Sequence, residues 1–131
     1  MTNKKLIVAD EQPVIARCLK GLLTHEGYDV ETTANADKLL EIVRGGGADL
    51  ILIDADLPRQ NGISVCQALK ANPATRDLPV VVMSASARAI EAEKAKALGA
   101  DAVLRKPFTL DDLKGALGKL RTSEDRPLLH A

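Results

Sequence analysis

Five residues stand where apolar runs of this 131-residue chain stop: Asp10, Glu11, Asp54, Ser84 and Lys106. Carboxylates, a hydroxyl and an ammonium are the residue types needed to hold a hard cation and to handle a phosphoryl group. Carboxylates packed within about 4 Å repel by on the order of 4 kcal/mol per pair at an effective dielectric near 20, so such a cluster calls for a compensating cation. Mg²⁺ takes oxygen ligands and keeps waters and room for a phosphate oxygen, whereas zinc favours Cys and His, which this set lacks. Beside a cation, a carboxylate can attack phosphorus and become an aspartyl phosphate. Asp54, ending the most apolar run, is best placed for that role. The ion, Lys106 and the Ser84 hydroxyl would then clamp the charge spread over the phosphoryl oxygens.

These residues converge only if the apolar runs form one parallel sheet. Short apolar segments alternate with segments of helical period, the pattern of βαβ units with helices on both faces. Strands are expected at Lys5 to Ala9, Leu50 to Asp54 and Val80 to Ser84, each rich in Ile, Leu or Val and therefore central and buried. Shorter, more mixed strands near Asp29 to Thr33 and Ala102 to Leu104 suit the sheet's edges. In open parallel sheets ligands sit beyond the carboxyl ends of the strands, which is where the five residues fall.

The first helix should open at Pro13 and stop before Gly27, with Val14, Ile15, Cys18, Leu19, Leu22 and Leu23 inward. Further helices are expected at about Ala36 to Arg44 (capped by Asn35), Gly62 to Ala71, and Arg88 to Leu98 (closed by Gly99). A last helix is capped by Thr109 with Asp112 three residues on, and Leu110, Leu113, Leu117 and Leu120 form its inward stripe. The alternating Glu and Lys of the fourth helix read as a solvated face.

The 18 basic and 18 acidic residues cancel, so overall charge gives no reason to expect direct nucleic-acid or membrane-surface binding. One Phe, one Tyr and no Trp leave no base-stacking platform. No apolar run approaches the roughly 20 residues that span a bilayer, and a cytoplasmic protein is expected. Cys18 and Cys66 read as buried small hydrophobes in a reducing compartment.

The segments VADEQP, LILIDADLPRQNG, VVVMSAS and AVLRKPF, in this order and spacing, resemble the receiver domain of response regulators, of the chemotaxis-regulator type, along almost the whole chain. The resemblance implies a flavodoxin-like, doubly wound (βα)5 fold in the α/β class, with strand order 2-1-3-4-5. It matches Asp10 and Glu11 to the metal-binding acid pair, Asp54 to the phosphoacceptor, Ser84 to the switching hydroxyl and Lys106 to the phosphate-pairing lysine. Asp56 would lend its backbone carbonyl to Mg²⁺, and the Lys106–Pro107 bond would be cis. The implied partner upstream is a histidine kinase or a histidine phosphotransfer protein. Downstream it is a protein target or an attached output domain, met by a monomer or by a phosphorylation-linked dimer.

Such a protein assists its own phosphorylation and dephosphorylation without being an enzyme in the ordinary sense. Asp56 and Ser86 would flank the path of water towards the aspartyl phosphate. Two positions depart from the family: Glu11, where a second Asp is commoner, and Val103, where an aromatic often reports phosphorylation. Signalling would then run through Ser84 and the loop into the fourth helix, switching the face made by that helix, the fifth strand and the fifth helix. The receiver unit is expected over residues 1–121, with a disordered tail at 122–131. Two rivals remain open. A haloacid-dehalogenase-like phosphohydrolase would use Asp54-Ala55-Asp56 as its Asp-x-Asp, and a receiver-shaped binding module would need no phosphorylation.

Overall fold

The computed structural model describes residues 4–57, 60–85 and 89–118. Its elements run β1 (Lys5–Ala9), α1 (Pro13–His25), β2 (Asp29–Thr33), α2 (Ala36–Arg44), β3 (Leu50–Asp54), α3 (Gly62–Ala71), β4 (Val80–Ser84), α4 (Ala89–Ala97) and β5 (Ala102–Arg105). Residues 110–118 are helical and form α5. The strands make one parallel sheet in the order β2-β1-β3-β4-β5. This is the flavodoxin-like, doubly wound arrangement expected.

Side chains alternate across a strand, so strands covered on both faces must be apolar at every position. Leu6, Val8, Leu50, Leu52, Val81, Met83 and Leu104 point to one face, where Leu19 and Leu23 of α1 and Leu113 and Leu117 of α5 cover them. Ile7, Ala9, Ile51, Ile53, Val80 and Val82 point to the other, under Leu39 and Val43 of α2 and Val65, Cys66 and Leu69 of α3. Each fully buried Leu, Ile or Met contributes about 1.5–3 kcal/mol relative to exposure. That burial holds the strand ends in register and fixes where the polar residues emerge.

Helix starts follow the expected chemistry. Asn35 accepts the Lys38 N–H at 2.8 Å. Thr109 and Asp112 form a reciprocal capping box, with both bonds at 3.0 Å. Gly99, at φ +114°, closes α4 in a conformation that other residues rarely adopt.

Four residues expected to face inward are exposed instead. Val14 and Leu22 are exposed at 65% and 43%, and Cys18 is exposed too. The apolar residues of α1 form two i,i+4 rows, 14/18/22 and 15/19/23, and only the second meets the sheet. Leu110 is likewise exposed, because α5 turns Leu113, Ala116 and Leu117 inward from its second turn. Leu120, Ser86, Arg88 and the expected tail at 122–131 lie outside the described residues.

Candidate functional site

At the carboxyl end of the sheet two acids are buried: Asp10, just past β1, and Asp54, the last residue of β3. Asp10 is held there by its own N–H, which donates to the Thr33 carbonyl at 3.0 Å and so continues the β1–β2 ladder. One oxygen of each carboxylate is taken up locally. Asp10 Oδ1 accepts the Gln12 N–H at 2.9 Å, and Asp54 Oδ1 accepts the Asp56 N–H at 3.0 Å. These are side-chain turns of the kind Asp favours when the chain leaves a strand.

The second oxygen of each acid goes to one cation. Lys106 Nζ donates to Asp10 Oδ2 at 2.9 Å and to Asp54 Oδ2 at 3.1 Å, reaching from the end of β5 to acids carried by the mutually neighbouring strands β1 and β3. Lys106 follows β5, and its N–H donates to the Ser84 carbonyl at 2.8 Å, which anchors it to the end of β4. The peptide bond from Lys106 to Pro107 is cis. Burial favours the neutral amine of Lys106. The hydrogen bonds and charges of Asp10 and Asp54 outweigh that and hold the ammonium above its ordinary value of 10.5.

Ser84 is buried at the end of β4, on the strand next to Asp54. Asp56 is exposed on the turn after β3, its carbonyl belonging to the same turn as the Asp54 side chain. Glu11 is exposed as well and is not drawn onto the two buried acids. Among the described residues, no group of three His, Cys, Asp or Glu side chains is arranged to hold a metal ion. The structure therefore brings together Asp10, Asp54 and Lys106, with Ser84 and Asp56 adjoining, and leaves Glu11 at the rim. The shared grip of Lys106 on Asp10 was not foreseen from the sequence. The only hint is that a lysine just past an edge strand has a stem long enough to reach back over the sheet.

The donor set is all oxygen, with both carboxylates already ionically engaged. Neither cysteine belongs to it: Cys18 lies on the outer row of α1, and Cys66 is packed in the core cluster under α3. Such a set fits a hard divalent ion, since Mg²⁺ needs only one or two protein carboxylates beside water and phosphate oxygens. A groove of about 830 Å³ lies away from the acids, along β5, lined by Lys96, Val103, Arg105 and Asp112 with Lys106 at its end.

The model of the response regulator receiver domain matches residues 6–118. Over 119 residues the chain is 38% identical to the DNA-binding transcriptional regulator NtrC of Rhizobium meliloti, covering 91% of this chain and 24% of that protein. The chain spans about a quarter to about half the length of the curated relatives it matches. It superposes on the chemotaxis response regulator CheY4 of Vibrio cholerae with a TM-score of 0.84 at 24% identity, covering 91% of this chain and 99% of that one. It also superposes on the Mn²⁺-bound form of the response regulator Rcp1, with a TM-score of 0.74 at 22% identity, covering 88% and 90%. Among the described residues no helix is long and apolar enough to cross a membrane.

Proposed function

Because the chain belongs to the response regulator receiver domain family of two-component signalling, we propose that it is a Mg²⁺-dependent switch in which Asp54 takes a phosphoryl group from a histidine kinase or a histidine phosphotransfer protein. The observation that carries this reading is the pair of bonds from Lys106 Nζ to Asp10 and Asp54, at 2.9 and 3.1 Å. A buried carboxylate facing both an ammonium and a second carboxylate has the electrostatics that phosphoryl transfer requires.

In the transfer, an Asp54 carboxylate oxygen forms a bond to phosphorus as the N–P bond of the phosphohistidine breaks. The bonding pair returns to the imidazole nitrogen. Lys106 then pairs with a phosphoryl oxygen, and the Ser84 hydroxyl donates to another. The residues that would hold the ion are Asp10, Asp54 and the Asp56 carbonyl, with Glu11 reaching it through water. When bound, the ion offsets the charge of the two carboxylates and of the incoming phosphoryl oxygens. Asp56, exposed on the turn after β3, tunes the lifetime of the product by flanking the approach of water.

Output passes through Ser84 and the start of α4 to the face made by α4, β5 and α5. Val103 is half-buried at the position where an aromatic often reports phosphorylation, so that relay is replaced here. As a piece of a longer regulator, the chain would pass the signal to an attached domain, such as the DNA-binding output that the name of the NtrC relative implies. Alone it would dock on a protein target. The Rcp1 structure being a Mn²⁺-bound form favours trying Mn²⁺ beside Mg²⁺.

The test is incubation with acetyl phosphate and Mg²⁺, followed by intact mass, with a chelator control and an Asp54→Asn variant. Gain of one phosphoryl group that needs both the ion and Asp54 is expected. No gain in a folded, ion-bound protein would favour the binding module, and sustained phosphate release without accumulation would favour the hydrolase.

A further inference from the structure

The turn that carries Asp54 is gripped from behind by an element whose side chains take no part in the chemistry. Gly62 opens α3, is buried, and donates its N–H to the Ala55 carbonyl at 2.8 Å. A Cβ built on Gly62 would lie 2.2 Å from the Asp54 carbonyl oxygen and 2.9 Å from both the Asp54 carbonyl carbon and Ala55 Cα. All three atoms are backbone, so no side-chain rotation relieves the overlap. Ordinary contact begins at 3.4 Å, so helix and turn would have to part by roughly 1 Å, a misplacement that can cost on the order of 100-fold in rate when it reaches a reacting group.

Neither partner yields easily. The helix is seated by Val65, Cys66 and Leu69, all buried. On its other side the turn is tied to β4 by the Ala55 N–H, which donates to the Met83 carbonyl at 2.7 Å. The backbone so clamped bears the Asp54 carboxylate, with its bonds to the Asp56 N–H at 3.0 Å and to Lys106 at 3.1 Å. Any retreat of that peptide changes where the carboxylate stands against the ammonium.

We propose that Gly62 is a positioning residue of the phosphoacceptor site, the bare start of α3 setting the placement of Asp54 and of the Asp56 carbonyl relative to Lys106. This rests on the reading of Asp54 as acceptor. Gly99 supplies the control. It lies at the opposite end of the sheet, at φ +114°, and its Cβ would meet Lys70 Cγ at 2.7 Å. Gly99→Ala is therefore a strained substitution remote from the acids.

The experiment compares Gly62→Ala with Gly99→Ala in the full chain. One readout is the NMR signals of the Asp54 carboxyl carbon and the Lys106 side chain, and the other is the initial rate of phosphorylation by acetyl phosphate with Mg²⁺. Gly62→Ala is expected to move both signals and to slow phosphorylation about 10- to 100-fold, while Gly99→Ala leaves signals and rate unchanged. A Gly62→Ala protein that matches Gly99→Ala in both readouts overturns the proposal. Should Gly62→Ala fail to fold, Asn61→Ala serves instead. It removes the acceptor of the Ile63 N–H at 2.7 Å and loosens the same helix start without adding an atom. Shifted signals with a slower rate then support the role, and unchanged ones overturn it. If the unmodified protein takes no phosphoryl group, the acceptor reading fails, and the two NMR signals alone decide whether Gly62 places the carboxylate.

Discussion

Replacing Lys106 by Met keeps the stem and removes the charge between two buried acids. The Asp10 side chain is fully buried, that of Asp54 is 7% exposed and that of Lys106 17%, so water does little to screen the cluster. At about 3 Å and an effective dielectric near 20, each contact is worth roughly 5 kcal/mol before desolvation is subtracted. Desolvation consumes much of that gain, but deleting the cation leaves two carboxylates facing one another with nothing between them. Breaking a buried pair in this way costs about 3–5 kcal/mol, against a total stability of about 5–15 kcal/mol for a domain. Urea unfolding followed by circular dichroism should therefore show Lys106→Met destabilised by that amount in the presence of a chelator. Added Mg²⁺ should recover part of the loss, because an ion bound at 100 times its dissociation constant adds about 2.7 kcal/mol, and the variant should gain more from the ion than the unmodified protein does. A loss below about 1 kcal/mol, the range of exposed ion pairs, would refute the reasoning, as would an equal response to Mg²⁺ in both proteins.

Two further outcomes follow from groups away from the acids. Burial pushes the Cys66 thiol up from 9.0 to about 11, so the folded state keeps this proton where the unfolded chain has released it. Stability then declines as pH rises from 9 towards 11, by about 2–3 kcal/mol in total, and Cys66→Ala should flatten a urea-midpoint curve over that window. Lys70 Nζ donates to Asp101 Oδ2 and the Leu78 carbonyl, both at 2.8 Å, and to the Arg76 carbonyl at 3.2 Å, tying α3 to the starts of β4 and β5. Lys70→Met should cost about 1–3 kcal/mol and leave the rate of phosphorylation by acetyl phosphate unchanged. A slowed rate would show that this end of the sheet is coupled to the acids.

The sheet was legible because buried parallel strands leave little choice of residue. Runs such as LILID and VVVMS are apolar at every position before the polar stop, and the stops themselves point to the site. Helix starts were legible where a side chain does the capping, as at Asn35 and Thr109. What was not legible depends on which of several equivalent surfaces the fold selects. Two apolar rows on α1 are indistinguishable by period, and nothing local says that the row of Val14, Cys18 and Leu22 stays outside. Glu11 beside Asp10 reads as a pair, yet neighbours on a chain leaving a strand point different ways, and only Asp10 turns inward. The close approach of Gly62 to Asp54 is invisible because it lies between residues that no sequence period connects. The partners of Lys106 depend on the distance between strand ends, which the strand order sets.

The most direct test of the central claim is to locate the phosphoryl group. The protein is treated with acetyl phosphate and Mg²⁺, reduced with borohydride to convert an aspartyl phosphate to homoserine, then digested and sequenced by tandem mass spectrometry. Homoserine at position 54, absent when a chelator is present, is the predicted result. Homoserine at Asp10 or Asp56, or at no position in a folded and ion-bound protein, would contradict the account.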